Sequence, residues 1–280
     1  MANAEGAYKD YSTTVDLLTG PGGNLADPEE LPAAVLGRAR ALRSTGGKLT
    51  PEQFKQAAQD YQLSLRLSSR EDWDTNEENE QDGASRNPYA AWEWGMAQRG
   101  AGEYNKAAET HILASASFKD IGDRARSVIS KLDAGIDLAA TDDVEEARKI
   151  LEAAIKTTTS VEGNDVQLLQ RVIAKEGEAR IALASILWNS NEKAAAESQL
   201  GEACSRFEQL QADADAREAA RKKSGAAPPV QVKKLAFTVD DIVGAEVSCS
   251  RFKNDKFLSE TLLWPQSLQD KAFKLTKLGK

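Results

Sequence analysis

Apolar residues recur at helical spacing along most of this chain, and turn residues separate the runs. Val144, Ala147, Ile150, Leu151, Ala154 and Ile155 stand at the i, i+3, i+4 spacing of one buried helix face. Thr141-Asp142-Asp143 precedes that run and caps it, and Ser127–Ala140, with Val128, Ile129, Leu132, Ile136 and Leu138, reads as the helix before it. Asn87–Ala114 has the same form. Trp92, Trp94, Gly95 and Ala97 mark a first helix, Gly100-Ala101-Gly102 breaks it, and Tyr104, Ala107, Ala108, His111 and Ala114 mark a second. Small residues on both helices let the backbones approach. A third hairpin runs from about Val166 to Leu210 with its turn at Asn189-Ser190-Asn191, and its second helix extends to Lys223.

The flanks are less regular. Residues 1–30 form an N-terminal arm in which Ala7–Leu18 predicts a short helix with Tyr8, Tyr11, Val15 and Leu18 on one face, ended by Gly20-Pro21-Gly22-Gly23. Pro32–Leu42 is a helix. Thr50-Pro51-Glu52-Gln53 supplies an N-cap, Pro at N1 and Gln at N3, which starts another helix that reaches about Leu67. Residues 71–85 carry seven acidic residues, no basic one and no periodicity, so they are expected to be a solvated loop anchored by Trp73. They lack the spacing of a calcium loop. Ser224-Gly-Ala-Ala-Pro-Pro opens a linker, and a basic extension follows to residue 280. Within it, Thr238 caps a short helix through Val247, Lys256–Ser259 forms a turn, and Pro265–Leu278 is a final helix.

Three segments share one register. Gly95, Ala107 and Ala114 are spaced by 12 and then 7 residues, as are Gly135, Ala147 and Ala154, and Ala184, Ala196 and Ala203. This spacing resembles the tetratricopeptide helix-turn-helix over roughly residues 32–210. The resemblance implies an all-α, right-handed solenoid of about four helix pairs over residues 31–223, with a helical extension behind it. The signature is incomplete: no Trp-x-x-Leu-Gly is present, and His111 stands where an aromatic is common. Residues 179–204 (ARIALASILWNSNEKAAAESQLGEAC) and 250–273 (SRFKNDKFLSETLLWPQSLQDKAF) are similar to the end of chloroplast tetratricopeptide-like proteins of plants and algae. That similarity implies a plastid protein of the thylakoid lumen or stroma, tied to photosystem assembly or structure. The alternative is a cytoplasmic protein. Met1-Ala-Asn-Ala-Glu resembles the surroundings of a processing site, the alternative being a plain unstructured N-terminus.

Charge narrows the partners. The net charge is −8, against general affinity for nucleic acid or anionic lipid. Arg217–Lys280 holds 13 basic and 7 acidic residues, net +6; the remainder, 23 basic and 37 acidic, is net −14. The C-terminal part can therefore dock on an acidic surface, its own or a partner's. No apolar run approaches the length of a membrane span, leaving peripheral association with a membrane complex. Cys204 and Cys249 read as two free thiols; a disulfide, the alternative, would staple the tail to the last hairpin.

No catalytic chemistry is expected. The single histidine, His111, falls at a position expected to be buried, and nothing resembles a phosphate-binding loop, a nucleophile elbow or a metal-ligand spacing. Neither cofactor nor metal is expected. The candidate site is a surface. First helices line the concave face of tetratricopeptide solenoids, and that resemblance selects Tyr89, Trp92, Met96 and Arg99, then Ile129, Leu132 and Ile136, then Ile181, Ser185 and Trp188. The set lacks the Lys and Asn residues of a carboxylate clamp. It suits an apolar helix or extended segment of a protein partner. The chain is read as a non-catalytic protein–protein interaction scaffold. The alternative is a structural or peripheral subunit whose groove is filled by its own C-terminal helix and whose outer face and arms make the contacts. An enzyme or small-molecule binder is the remote third reading.

Overall fold

In a computed structural model of the chain, the structure describes residues 4–20, 30–44, 49–68, 77–141, 143–162, 165–225 and 248–276. These residues are helical with no strand among them. The chain divides into two compact units, Met1–Ser130 and Lys131–Lys280, so the division falls inside the expected repeat domain.

The first unit contains α1 (Ala4–Thr19), α2 (Glu30–Arg43), α3 (Pro51–Leu67), α4 (Glu77–Arg86), α5 (Pro88–Gly100) and α6 (Tyr104–Asp120). The start of α3 is the capping box read from sequence. Thr50 Oγ1 accepts from the Gln53 N–H at 3.3 Å, and Gln53 Oε1 accepts from the Thr50 N–H at 2.9 Å. Two orphan donors are thereby satisfied. The N-terminal arm packs: Val15 of α1 joins Leu31, Ala34 and Val35 of α2 in a small core, and the Tyr11 ring lies where a side chain on Gly37 would stand. A larger core takes Ala57, Tyr61 and Leu65 from α3, Ala90, Ala91, Trp94 and Ala97 from α5, and Ala114 and Phe118 from α6. Arg38 donates to both oxygens of Asp60 at 2.8 and 2.7 Å, clamping α2 to α3 in a two-pronged geometry.

The acidic stretch differs from expectation. Its second half, from Glu77, is α4 and not a loop; residues 71–76, with Trp73, lie outside the described residues. An apolar stripe does not hold this helix. Ala84 is fully buried, and Gly83 lies so close to the Leu65 carbonyl that no side chain would fit. Glu80 accepts from Gln62 at 2.8 Å and from Arg66 at 2.5 Å. Small residues and neutralised carboxylates thus replace the periodic signal.

Three of the helix junctions share one turn. Gly102 (φ 81°), Gly122 (φ 81°) and Asn191 (φ 64°) each take the left-handed conformation just after a helix. The residue after each of these reaches back to a carbonyl five positions earlier: Glu103 to Gln98 at 2.9 Å, Asp123 to Phe118 at 2.8 Å and Glu192 to Leu187 at 2.9 Å. That same residue opens the next helix. Asp123 also caps it through its side chain, Oδ1 accepting from the Arg126 N–H at 3.0 Å.

α7 (Arg124–Ala139) contains the division between the units. The second unit then holds α8 (Val144–Thr158), α9 (Val166–Asn189), α10 (Lys193–Ser224), two short turns, Cys249–Lys253 and Phe257–Thr261, and α11 (Gln266–Thr276). The stripe of α8 is buried from Ala147 to Ile155, with Val144 at its start half-buried. α10 seats Ala196, Ala203, Phe207 and Leu210 against α9, and burial then stops: no residue from 211 to 224 is buried. The C-terminal segment does not hang free. Phe252, Phe257, Leu258, Leu262, Trp264, Leu268 and Leu275 are buried, and α11 packs on α9. Cys204 and Cys249 form a disulfide, Cα–Cα 5.2 Å, which corrects the reading of free thiols. Of the expected linker, Ser224 ends α10 and Gly225 caps it at φ 69°; the rest, and the helix expected at 238–247, lie outside the described residues.

Candidate functional site

The twelve-and-seven register is a packing register. Gly95, Ala107, Ala114, Gly135, Ala147, Ala154, Ala184, Ala196 and Ala203 are all buried. A side chain at Gly95 would come within 2.6 Å of the His111 ring, and one at Gly135 within 2.7 Å of Leu151. In both hairpins the side chain sixteen residues on fills the glycine's gap. His111 is accordingly buried, as expected.

The expected concave residues are mostly core. Met96, Arg99, Ile129, Leu132, Ile136, Ile181 and Ser185 are buried. Being apolar on one helix face is equally what a helix needs to pack on its own chain, and here that demand is met internally. Three of the set keep exposed area. Tyr89 is 44% exposed, packs edge-on against Phe118 at 5.1 Å and carries the Arg126 guanidinium 5.1 Å above its ring. Trp92 is half-buried against the large core, and Trp188 is half-buried beneath the Lys193 ammonium at 5.3 Å.

The densest polar chemistry lies elsewhere, along Lys175–Arg180 of α9. Lys175, 4% exposed, donates to Asp133 Oδ1 at 3.0 Å and to Glu178 Oε2 at 2.6 Å. The other oxygen of Glu178 accepts from Trp264 Nε1 at 3.3 Å, so the C-terminal segment ends on this ion pair. On the neighbouring face Glu176, 2% exposed, accepts from Thr158 at 2.9 Å, Arg180 at 2.8 Å and Arg206 at 3.3 Å. Arg180 continues to Gln199 at 2.7 Å and Glu202 at 2.8 Å. Buried charges persist only when paired in this way. The belt joins α7, α8, α9, α10 and the tail through directional bonds, and its chemistry is that of a pin. Sequence reasoning missed it. The signal was the run Lys-Glu-Gly-Glu-Ala-Arg inside an otherwise apolar helix, with Lys175 and Glu178 at i, i+3 and Glu176 and Arg180 at i, i+4.

In the first unit Arg43 donates to the Tyr61 hydroxyl at 2.9 Å. Burial pushes the Tyr61 phenol up to about 12, outweighing the opposing pull of Arg43. Asp60 holds the Arg38 guanidinium above its ordinary value through their hydrogen bond. Among the described residues no three His, Cys, Asp or Glu side chains gather as metal ligands, and no helix is long and apolar enough to cross a membrane.

No protein-family model matches the chain, and neither does any curated protein or any solved structure.

Proposed function

We propose that the chain is a non-catalytic interaction scaffold, a tetratricopeptide-like right-handed solenoid of about four helix pairs, acting as a structural or peripheral subunit through its outer face and not through a groove. One observation carries this choice between the two scaffold readings: the side chains expected to line the groove are largely buried, while the C-terminal segment packs on α9. Side chains already covered within their own chain offer little to a partner helix. The outer face has apolar side chains to offer. Ile112 on α6 is 46% exposed, Ile121 at its end 57% and Leu17 on α1 70%. The setting in a plastid membrane complex rests on the resemblance of residues 179–204 and 250–273 alone, and fractionation of cells expressing the tagged chain tests it.

Two double variants separate outer-face from groove binding. Ile112→Glu with Ile121→Glu is expected to abolish the native complex captured on the tagged chain. Trp92→Ala with Trp188→Ala is expected to leave it intact, circular dichroism confirming both folds. The reverse pattern restores the groove reading. A chain that migrates as a free monomer in extracts of its own cells sinks the scaffold reading altogether.

A further inference from the structure

We propose that the Cys204–Cys249 disulfide is a reducible latch, and that a dithiol reductant releases the C-terminal segment 249–276 from the α9–α10 hairpin. The inference stands whether or not the chain proves to be a scaffold.

Four observations point this way. Both cysteines are half-buried in the folded chain and neither is sealed in the core, which leaves the bond open to an incoming thiolate. Cys249 is also the first residue of the segment's opening turn, so the bond fastens the segment at its leading edge. Much of the segment's apolar burial is internal. Phe252 meets Phe257 edge-on at 5.5 Å and lies 5.9 Å from Trp264, and α11 packs on both short turns. The segment therefore keeps part of its core when it lifts. Finally, Leu263 has φ 58°, a conformation that a branched L-residue adopts only when its surroundings force it. It directly precedes Trp264, whose N–H bonds the Leu258 carbonyl at 2.9 Å and whose ring nitrogen reaches Glu178. Release breaks the Phe207–Phe252 stack at 5.5 Å, the Trp264–Glu178 bond and the α9–α11 packing.

The chemistry is thiol–disulfide exchange. A thiolate of the reductant attacks one sulfur, forms a mixed disulfide and expels the other cysteine as thiolate. The reductant's second thiol displaces the first. Cys204 and Cys249 together take up two electrons and two protons, and the reductant leaves as its own disulfide. Residues 226–247 still join the segment to α10, so release is reversible on reoxidation.

Amide hydrogen exchange of the full chain, with and without excess dithiothreitol, tests this. Reduction is expected to speed exchange across Phe257–Thr276 by roughly tenfold or more, leaving α3, α5 and α6 unchanged and α9 and α10 largely protected. Cys249→Ser without reductant is expected to reproduce that pattern. Unchanged exchange in the reduced chain overturns the proposal, because packing alone then holds the segment. Protection lost equally across α8, α9 and α10 also overturns it, because the bond is then a staple for the whole unit.

Discussion

Tyr61 shows how one buried group sets a pH limit. Its phenol ionises near 10 in an unfolded chain and at about 12 in the folded one, because burial disfavours the phenolate. The folded state therefore keeps a proton that the unfolded state gives up. Stability from this group is complete below pH 10 and falls between pH 10 and 12, by about 2–3 kcal/mol in total. Urea midpoints across that range should decline more steeply in the wild type than in Tyr61→Phe; parallel curves would remove Tyr61 as the cause. Lys175 makes the same point for a charge. Lys175→Met leaves Asp133 and Glu178 without their shared cation, and the expected loss is about 3–5 kcal/mol in urea unfolding. The retention of Trp264 in its seat is the local readout, since its ring nitrogen bonds the same Glu178.

Among the elements, the repeated turn is the feature most open to test. Gly122 has φ 81° and open space around a would-be side chain, so Gly122→Ala costs only backbone strain, about 1 kcal/mol. Gly95→Leu is different in kind. It drives a side chain into the His111 ring and is expected to cost about 3 kcal/mol or prevent folding. Thermal unfolding of the two variants should separate strain from steric clash. Most helices were legible because their faces alternate at 3.6 residues, and Thr50-Pro51-Glu52-Gln53 announced α3 outright. α4 was not legible, because Gly83, Ala84 and Glu80 attach it without any apolar stripe. That most of the expected groove residues are covered was not legible for a related reason. Leu132, Ile136 and Ile181 are buried, but a sequence does not say whether an apolar side chain is covered by another molecule or by its own chain. The ion belt was hidden because Asp133, which accepts from Lys175, and Trp264, which donates to Glu178, lie far off in sequence.

For the molecule as a whole, the two ends of the charge distribution acquire different meanings. The basic C-terminal residues do not form a free arm over residues 248–276; that segment folds into the second unit, with Trp264 bonded to Glu178. Phe252 and Phe207 stack across the same junction that the disulfide spans. Aromatic packing, a buried carboxylate and a covalent bond thus hold one short segment. From sequence the disulfide is no more than an alternative, since two cysteines 45 residues apart carry no spacing signal of their own.

The outer end of α10 gives this closure a practical consequence. From residue 211 to 224 the helix has no buried residue, and its side-chain ties there include the pairs Gln211–Asp215 at 2.8 Å and Arg221–Glu218 at 2.5 Å. Arg221 holds the Glu218 carboxyl down to about 2, so acidification toward that value loosens this turn further. Trypsin should cut first here, at Arg217, Arg221, Lys222 or Lys223. The severed protein would not fall apart. Cys204 lies before the cut and Cys249 after it, so the nicked protein runs as one band without reductant and as two with it. Topologically the chain is a ring with a long tail leading into it, and a ring survives being opened once.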